Sequence, residues 1–223
     1  MSEQKPVIAV IGGTGDLGTG LVFRWCRAGY HVIVGSRKAE SAVEAAATMK
    51  ARVPSANIEG MENSAAAARA DIVCMTVPFS HQQDTLAVIR DGVQGKIFID
   101  VTVSLKPPKV GTVQLPPEGS AGVIAQQTLG ENVRVVSAFQ NIAAAHLNDE
   151  HDIHCDVLVT GDDADAREVV VQLAQAAGMK AWHAGSIANS AATEALTSVL
   201  IFMNKRYKIA GGAGITITGE PRV

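Results

Sequence analysis

The chain has 223 residues, 47% hydrophobic, 18% charged and 4% aromatic, a size that suits one domain with an appendage rather than two full domains. Nineteen Lys and Arg against 22 Asp and Glu leave a formal charge of −3, with no basic excess for counterion release from nucleic acid. No run nears the ~20 apolar residues of a membrane span, Met1-Ser2-Glu3-Gln4-Lys5-Pro6 lacks a signal-peptide core, and Cys26, Cys74 and Cys155 form no CxxC pair. These features predict a cytoplasmic protein with buried thiols and with neither nucleic-acid nor membrane partners.

In chain order, a strand at Val7–Ile11 precedes a helix at Leu17–Ala28, then a strand at His31–Gly35 and a helix at about Ala39–Lys50. A short helix near Ser64–Arg69 and strands at Asp71–Val77 and Lys96–Val101 continue the rhythm. Pro107, Pro108, Pro116 and Pro117 mark Ser104–Gly119 as a long irregular loop with a functional rather than a merely connecting role. Strands at Val133–Ala138 and Cys155–Thr160, a helix at Asp163–Ala177 and a strand at Lys180–His183 complete the sheet, and Ala188–Lys205 reads as one long helix. The expected fold is α/β: a right-handed, doubly wound parallel sheet over residues 1–184, with a small helical C-terminal unit over residues 185–223.

Between the first strand and helix stands Gly12-Gly13-Thr14-Gly15-Asp16-Leu17-Gly18, whose Gly13, Gly15 and Gly18 form a GxGxxG. In this context the pattern is the dinucleotide-binding loop of a Rossmann-type domain: Gly13 for the tight turn, Gly15 for close approach of a pyrophosphate, Gly18 for close helix packing. The helix N-terminus then receives the anion. The second strand ends in Gly35-Ser36-Arg37-Lys38 instead of an acidic residue. A hydroxyl and a guanidinium there favour the 2′-phosphate of NADP(H) over the bare ribose of NAD(H).

Ligands in such sheets lie beyond the strands' carboxyl ends, which places Thr76, Val77, Pro78, Thr102 and Val103 on the nicotinamide side. No Ser-His-Asp or Cys-His set assembles locally, and neither tyrosine, Tyr30 or Tyr207, is followed by a lysine four residues on, as a tyrosine-lysine proton relay needs. The run His151-Asp152-Ile153-His154 reads as a loop-to-strand boundary rather than a metal cluster, since its two histidines would face opposite sides of a strand. His81 and His146 follow strand ends near the cleft and stay open as binding groups.

The residues together resemble the NADPH-dependent reductases of the deazaflavin coenzyme F420, the F420H2:NADP oxidoreductases. The resemblance runs nearly end to end, through Ile11–Gly18, Val34–Arg37, Thr76–Pro78, Val136–Phe139, Gly161–Asp163 and Ala184–Ser190. Its most specific part is Asn204-Lys205-Arg206-Tyr207-Lys208 with Gly212-Ala213-Gly214-Ile215, similar to the bacterial branch. It implies a homodimer in which NADP(H) lies across the sheet and the deazaflavin stacks on the nicotinamide in a cleft closed by the C-terminal unit. It also implies cofactor contacts at Ala138, Gln140, Asn141 and Ile142, with Gln140 where the family commonly has histidine. No essential catalytic side chain is expected, because the two cofactors carry the hydride chemistry themselves.

Two other readings stay open at this point. An NADPH-dependent imine or carbonyl reductase would need a proton donor, for which Asp100, His81 and His146 are the sources at hand. A non-catalytic NADPH-sensing protein would need the glycine loop and Arg37 but no second pocket.

Overall fold

Every second element of the chain is a strand laid beside its predecessors. The strands β1 (Ile8–Ile11), β2 (His31–Ser36), β3 (Asn57–Glu62), β4 (Ile72–Met75), β5 (Ile97–Asp100), β6 (Arg134–Ser137), β7 (Asp156–Gly161) and β8 (Lys180–His183) take the order β3-β2-β1-β4-β5-β6-β7-β8. The computed structural model describes residues 5–219; residues 1–4 and 220–223, the outer ends of the two units read from the sequence, lie outside them. β1, β4 and β5 are buried along their whole length, as strands covered on both faces must be.

The described residues form eight α-helices: α1 (Asp16–Arg27), α2 (Ala39–Arg52), α3 (Asn63–Arg69), α4 (Gln82–Ile89), α5 (Ala121–Leu129), α6 (Ala144–Leu147), α7 (Ala164–Ala176) and α8 (Ser190–Tyr207). Leu21 and Trp25 of α1, Met49 of α2 and Leu173 of α7 fill one core with Ile8, Val10 and Ile99. Ala66 of α3, Leu86 and Ile89 of α4 and Leu129 of α5 fill the other with Ala9, Ile11 and Phe98. No described helix is long and apolar enough to cross a membrane.

The sheet departs from the all-parallel expectation at one place. β7 runs antiparallel to β6 and meets it at only two pairs, Val136 with Gly161 and Ser137 with Thr160, while β8 pairs parallel with β7 from Asp156 to Val159. Most of β7 therefore overhangs the carboxyl edge of the sheet. Apolar alternation is blind to strand direction, which only the path of the connecting chain decides.

Four elements carry too little pattern to be read beforehand. β3 is an edge strand, Asn57-Ile58-Glu59-Gly60-Met61-Glu62, paired with β2 and half exposed, so it lacks an apolar run. The helices α4, α5 and α6 have eight, nine and four residues, too few turns for a 3.6-residue period to register, whereas the seven-residue α3 is marked by its alanine run Ala65–Ala68.

One buried cation ties the start of the chain to its middle. Arg24 of α1 donates from Nη2 to the carbonyls of His146 (2.9 Å), Asp149 (2.5 Å) and His151 (3.0 Å), and from Nε to that of Leu147 (3.1 Å). Asn148 answers by donating to the Asp16 carbonyl at 3.1 Å, and a Cβ on Gly20 would lie 2.5 Å from that of Leu147. The segment after β6 is thus clamped flat on α1. Arg24→Met, which keeps the apolar stem but orphans these carbonyls, should lower stability by about 2–4 kcal/mol in urea unfolding. An unchanged midpoint would show that water replaces the guanidinium.

Candidate active site

The turn from β1 to α1 is four residues long, Gly12-Gly13-Thr14-Gly15. Its left-handed residue is Gly12, at φ 73°, and not Gly13, to which the sequence pattern assigns the tight turn. Gly13 is needed for a different reason: a Cβ there would lie 2.7 Å from the Val10 carbonyl oxygen. At Gly18 a Cβ would meet the Gly13 Cα at 2.8 Å and Thr76 Oγ1 at 2.7 Å, so α1 rests directly on the loop.

Gly15 differs from these. Its φ of −80° and ψ of 168° suit any residue, and the nearest atom to a Cβ there would be the Gly12 carbonyl oxygen at 3.6 Å. The protein's own packing leaves that space free. Gly15 is also the N-cap of α1 and offers no side chain to the first-turn amides, so α1 presents N–H groups and the positive end of its dipole there.

A cavity of about 210 Å³ opens over this loop, and it gathers Thr14, Gly15, Ser36, Arg37, Thr76, Val77, Pro78 and His81 from the predicted set. It is joined by residues that the sequence did not mark, Gly12, Asn63 and Thr85. An adjoining cavity of about 280 Å³ shares Arg37, Asn63, His81 and Thr85 and adds Glu62, Asp84 and Val88, so the two form one cleft along the carboxyl ends of β1, β2, β3 and β4. Asn63 went unread because β3, which delivers it, has no apolar signature.

The other predicted residues are placed as follows. Gly13 and Gly18 are buried beneath the loop, Asp16 is exposed in the first turn of α1, and Leu17 packs against the core. Lys38 is exposed outside the cavity, with its backbone N–H 3.4 Å from Ser36 Oγ. Ala138 is wholly buried in the core, Thr102 is buried with its N–H donated to Asp100 Oδ1 at 2.8 Å, and Val103 is half-buried.

Gln140, Asn141 and Ile142 line a separate cavity of about 200 Å³, closed by Thr197, Leu200, Ile201 and Asn204 of α8 and by Ala213 of the tail. The preceding Phe139 has φ 73° and wedges its ring edge-on against Trp25, with centroids 6.1 Å apart. That turn sends the Gln140 amide back to the strand ends, where Nε2 donates to the Asp100 carbonyl (2.9 Å) and to Ser137 Oγ (2.8 Å). Gln140 Oε1 and Thr102 Oγ1 are buried acceptors without a partner. Asn141 Nδ2 reaches α8 instead, at the Thr193 carbonyl (2.8 Å) and Thr197 Oγ1 (3.2 Å).

The two histidines that the sequence left open take different places. His81 faces the cleft, whereas His146 is bound through Nε2 to the Gly212 carbonyl at 3.0 Å. His151 pairs with Asp149 at 2.5 Å in the coil before β7, and His154 is exposed in the same coil. The tail glycines pack on protein: a Cβ would lie 2.8 Å from the His146 ring at Gly211 and 2.7 Å from Ala143 Cβ at Gly212, and at Gly214 it would collide with Cys155 Sγ.

Two buried carboxyls underlie this region. Asp100 accepts from Gln82 Nε2 at 2.7 Å, and the same amide donates to the Ala121 carbonyl at 2.9 Å. Burial raises the Asp100 pKa, against the opposing pull of the bonds from the Thr102 N–H and the Gln82 amide. Glu194 of α8 accepts from the N–H groups of Ala121 (2.9 Å) and Gly122 (3.1 Å) at the start of α5, and burial, aided by the nearby Asp100, pushes it up to about 8.

Comparison with known proteins accords with this geometry. The family described as NADP oxidoreductase, coenzyme F420-dependent, matches residues 7–104. An F420-dependent NADP reductase of Methanocaldococcus jannaschii is 39% identical over 220 residues, covering 95% of this chain and 97% of that protein. One from Methanothermobacter thermautotrophicus is 43% identical over 223 residues, covering 96% and 95% respectively. A solved structure from Arthrobacter sp. FB24 superposes with a TM-score of 0.74 at 23% identity over 93% of this chain and 97% of that one, a likeness of fold.

The glycines separate packing from binding in a testable way. Gly15→Val should leave the unfolding midpoint nearly unchanged and abolish dinucleotide binding, while Gly18→Val should destabilise the fold itself. Dinucleotide titration beside thermal melts reads both, and retained binding by Gly15→Val would remove the free space at Gly15 from the site.

Glu194 carries a pH signature. A folded-state pKa above the unfolded value means that its contribution is fully present below about pH 4.5 and is lost as pH rises toward 8. Glu194→Gln should therefore flatten the fall in unfolding free energy between those limits, by at most about 1.4 kcal/mol per pH unit. Parallel slopes for the two proteins would refute the assignment.

Proposed function

This chain belongs to the F420-dependent NADP reductase family, and on that premise we propose that it is the enzyme that moves hydride between NADP(H), bound in the cleft described above, and the deazaflavin F420, held on the side of the second cavity. When bound, the two cofactors supply the chemistry: hydride passes between nicotinamide C4 and deazaflavin C5, and water exchanges the proton at the ring nitrogen. The residues bind, orient and shield.

The observation that carries the reading is the uncapped N-terminus of α1 beneath a glycine whose side-chain space is free, beside the donors Ser36 and Arg37. The α1 amides and Gly15 hold the pyrophosphate, and Arg37 with Ser36 grips the 2′-phosphate. Thr76, Val77 and Pro78 carry the nicotinamide end. On the second side, Gln140, Asn141 and Ile142 serve the deazaflavin, and the unpartnered Gln140 Oε1 supports this, because a ring N–H would satisfy it. Thr102, Val103 and Ala138 then shape the strand ends behind the rings rather than bond them.

The C-terminal unit, through Thr197, Leu200, Ile201, Asn204 and Ala213, closes the second cavity onto the body of the sheet. Two copies pair, and the exposed face of α8 supports that arrangement: Phe202 is 59% and Tyr207 69% exposed, with Val199 and Met203 on the same helix. The protein works in the cytoplasm, a setting supported by its three free, buried cysteines; burial pushes Cys26 up to about 12 and raises Cys74 and Cys155 as well.

The test is direct transfer. NADPH should bleach the visible band of oxidised F420, and deuterium placed on one face of nicotinamide C4 should reach deazaflavin C5 without dilution by solvent. Asp100→Asn and His81→Ala should each cost no more than about tenfold in turnover, short of the 100- to 10,000-fold typical of a lost general acid. Absence of bleaching, or a loss of three decades in either variant with NADPH binding intact, would overturn the reading.

A further inference from the structure

Asn63 opens α3 directly behind β3, is 5% exposed, and lines both halves of the first cleft. Its Oδ1 is buried without a hydrogen-bond partner and sits 2.9 Å from where a Cβ on Gly35 would be. The amide therefore fills the space that Gly35 leaves at the end of β2, one residue before Ser36 and two before Arg37. A buried acceptor without a partner is costly and stays only where something else fixes its orientation. With Oδ1 turned into the protein, Nδ2 is the polar atom that the side chain can offer to the cleft.

The wall shared by the two cavities is formed by Arg37, Asn63, His81 and Thr85; the Thr85 hydroxyl is spent on the His81 carbonyl at 2.7 Å, which leaves the Arg37 guanidinium, the Asn63 amide and the His81 imidazole able to donate, and the Ser36 hydroxyl joins them from the inner cavity. The carboxylates Glu62 and Asp84 stand in the outer cavity, which none of Gly12, Thr14 and Gly15 lines. They would repel an anion and suit the exocyclic amine of a base. We propose that Asn63 is a specificity residue for the 2′-phosphate of NADP(H), donating from Nδ2 to a phosphate oxygen that Ser36 and Arg37 also hold, at the boundary between the phosphate and the adenine. The inference rests on the assignment of NADP(H) to this cleft.

Binding, not turnover, tests it, with NADPH, NADH, adenosine 2′,5′-bisphosphate and 5′-AMP as probes. Asn63→Ala should weaken NADPH and the bisphosphate by about 10- to 100-fold, the loss expected for one hydrogen bond to a charged group, and leave NADH and 5′-AMP within about threefold. Asn63→Asp, nearly the same shape but an acceptor, should weaken NADPH further and tighten NADH, because a carboxylate repels the phosphate and accepts from a free 2′-hydroxyl. Equal losses for phosphorylated and unphosphorylated probes in both variants, with a wild-type protein that prefers NADPH, would overturn the role of Asn63 alone. A wild-type protein that binds NADH as tightly as NADPH would overturn the NADP(H) assignment and this inference with it.

Discussion

The close seating of α1 on β1 is the constraint from which the rest of the molecule follows. Because Gly13 and Gly18 have no side chains, the helix begins within a four-residue turn of the strand, and its N-terminal amides end up at the carboxyl edge of the sheet. The helix must also lie flat along its length. Gly20 lets Leu147 come against it, and the Arg24 guanidinium takes up carbonyls of the segment after β6 that would otherwise be left unpaired. One helix thus positions both a binding loop at its start and, through its last turns, the segment that continues from the second cavity.

The C-terminal helix is held by polar rather than apolar means. Glu194 caps α5, Ser190 Oγ lies 2.6 Å from Ser120 Oγ, and Asn141 bridges to Thr193 and Thr197. Each of these bonds has a geometry that an apolar contact lacks, so α8 can take only one place against the body. The tail repeats the device: Ile215 accepts from the Asp156 N–H and donates to Cys155 Sγ, and Ile217 donates to Asp156 Oδ2. A glycine at position 214 is what lets it come so near Cys155.

This arrangement accounts for a second cavity lined, among the described residues, by no ionisable side chain. Asp100 and Glu194 lie beneath the cavities and bond to backbone and amide groups, so their part is to hold strands and helices in register. A hydride transfer between two bound cofactors asks for that kind of rigidity, since alignment of the reacting rings supplies most of what the protein can add.

The sequence by itself determined the βαβ rhythm, the glycine loop before α1, the basic end of β2 and the long C-terminal helix, because each rests on chemistry local to a turn, a strand or a helix. Gly12-Gly13-Thr14-Gly15 and Ser36-Arg37 needed no distant partner to be read. Tertiary structure alone decided that Gly12 rather than Gly13 carries the left-handed turn, that β7 runs against β6, and that Asn63 joins Arg37 in one cleft. It also decided that Ala138 is sealed in the core while Gln140 is turned back toward Asp100. These outcomes depend on contacts between residues far apart in the chain, and local periodicity carries no information about them: an edge strand such as β3, a one-turn helix such as α6 and the direction of β7 acquire their identity only from the neighbours against which they fold.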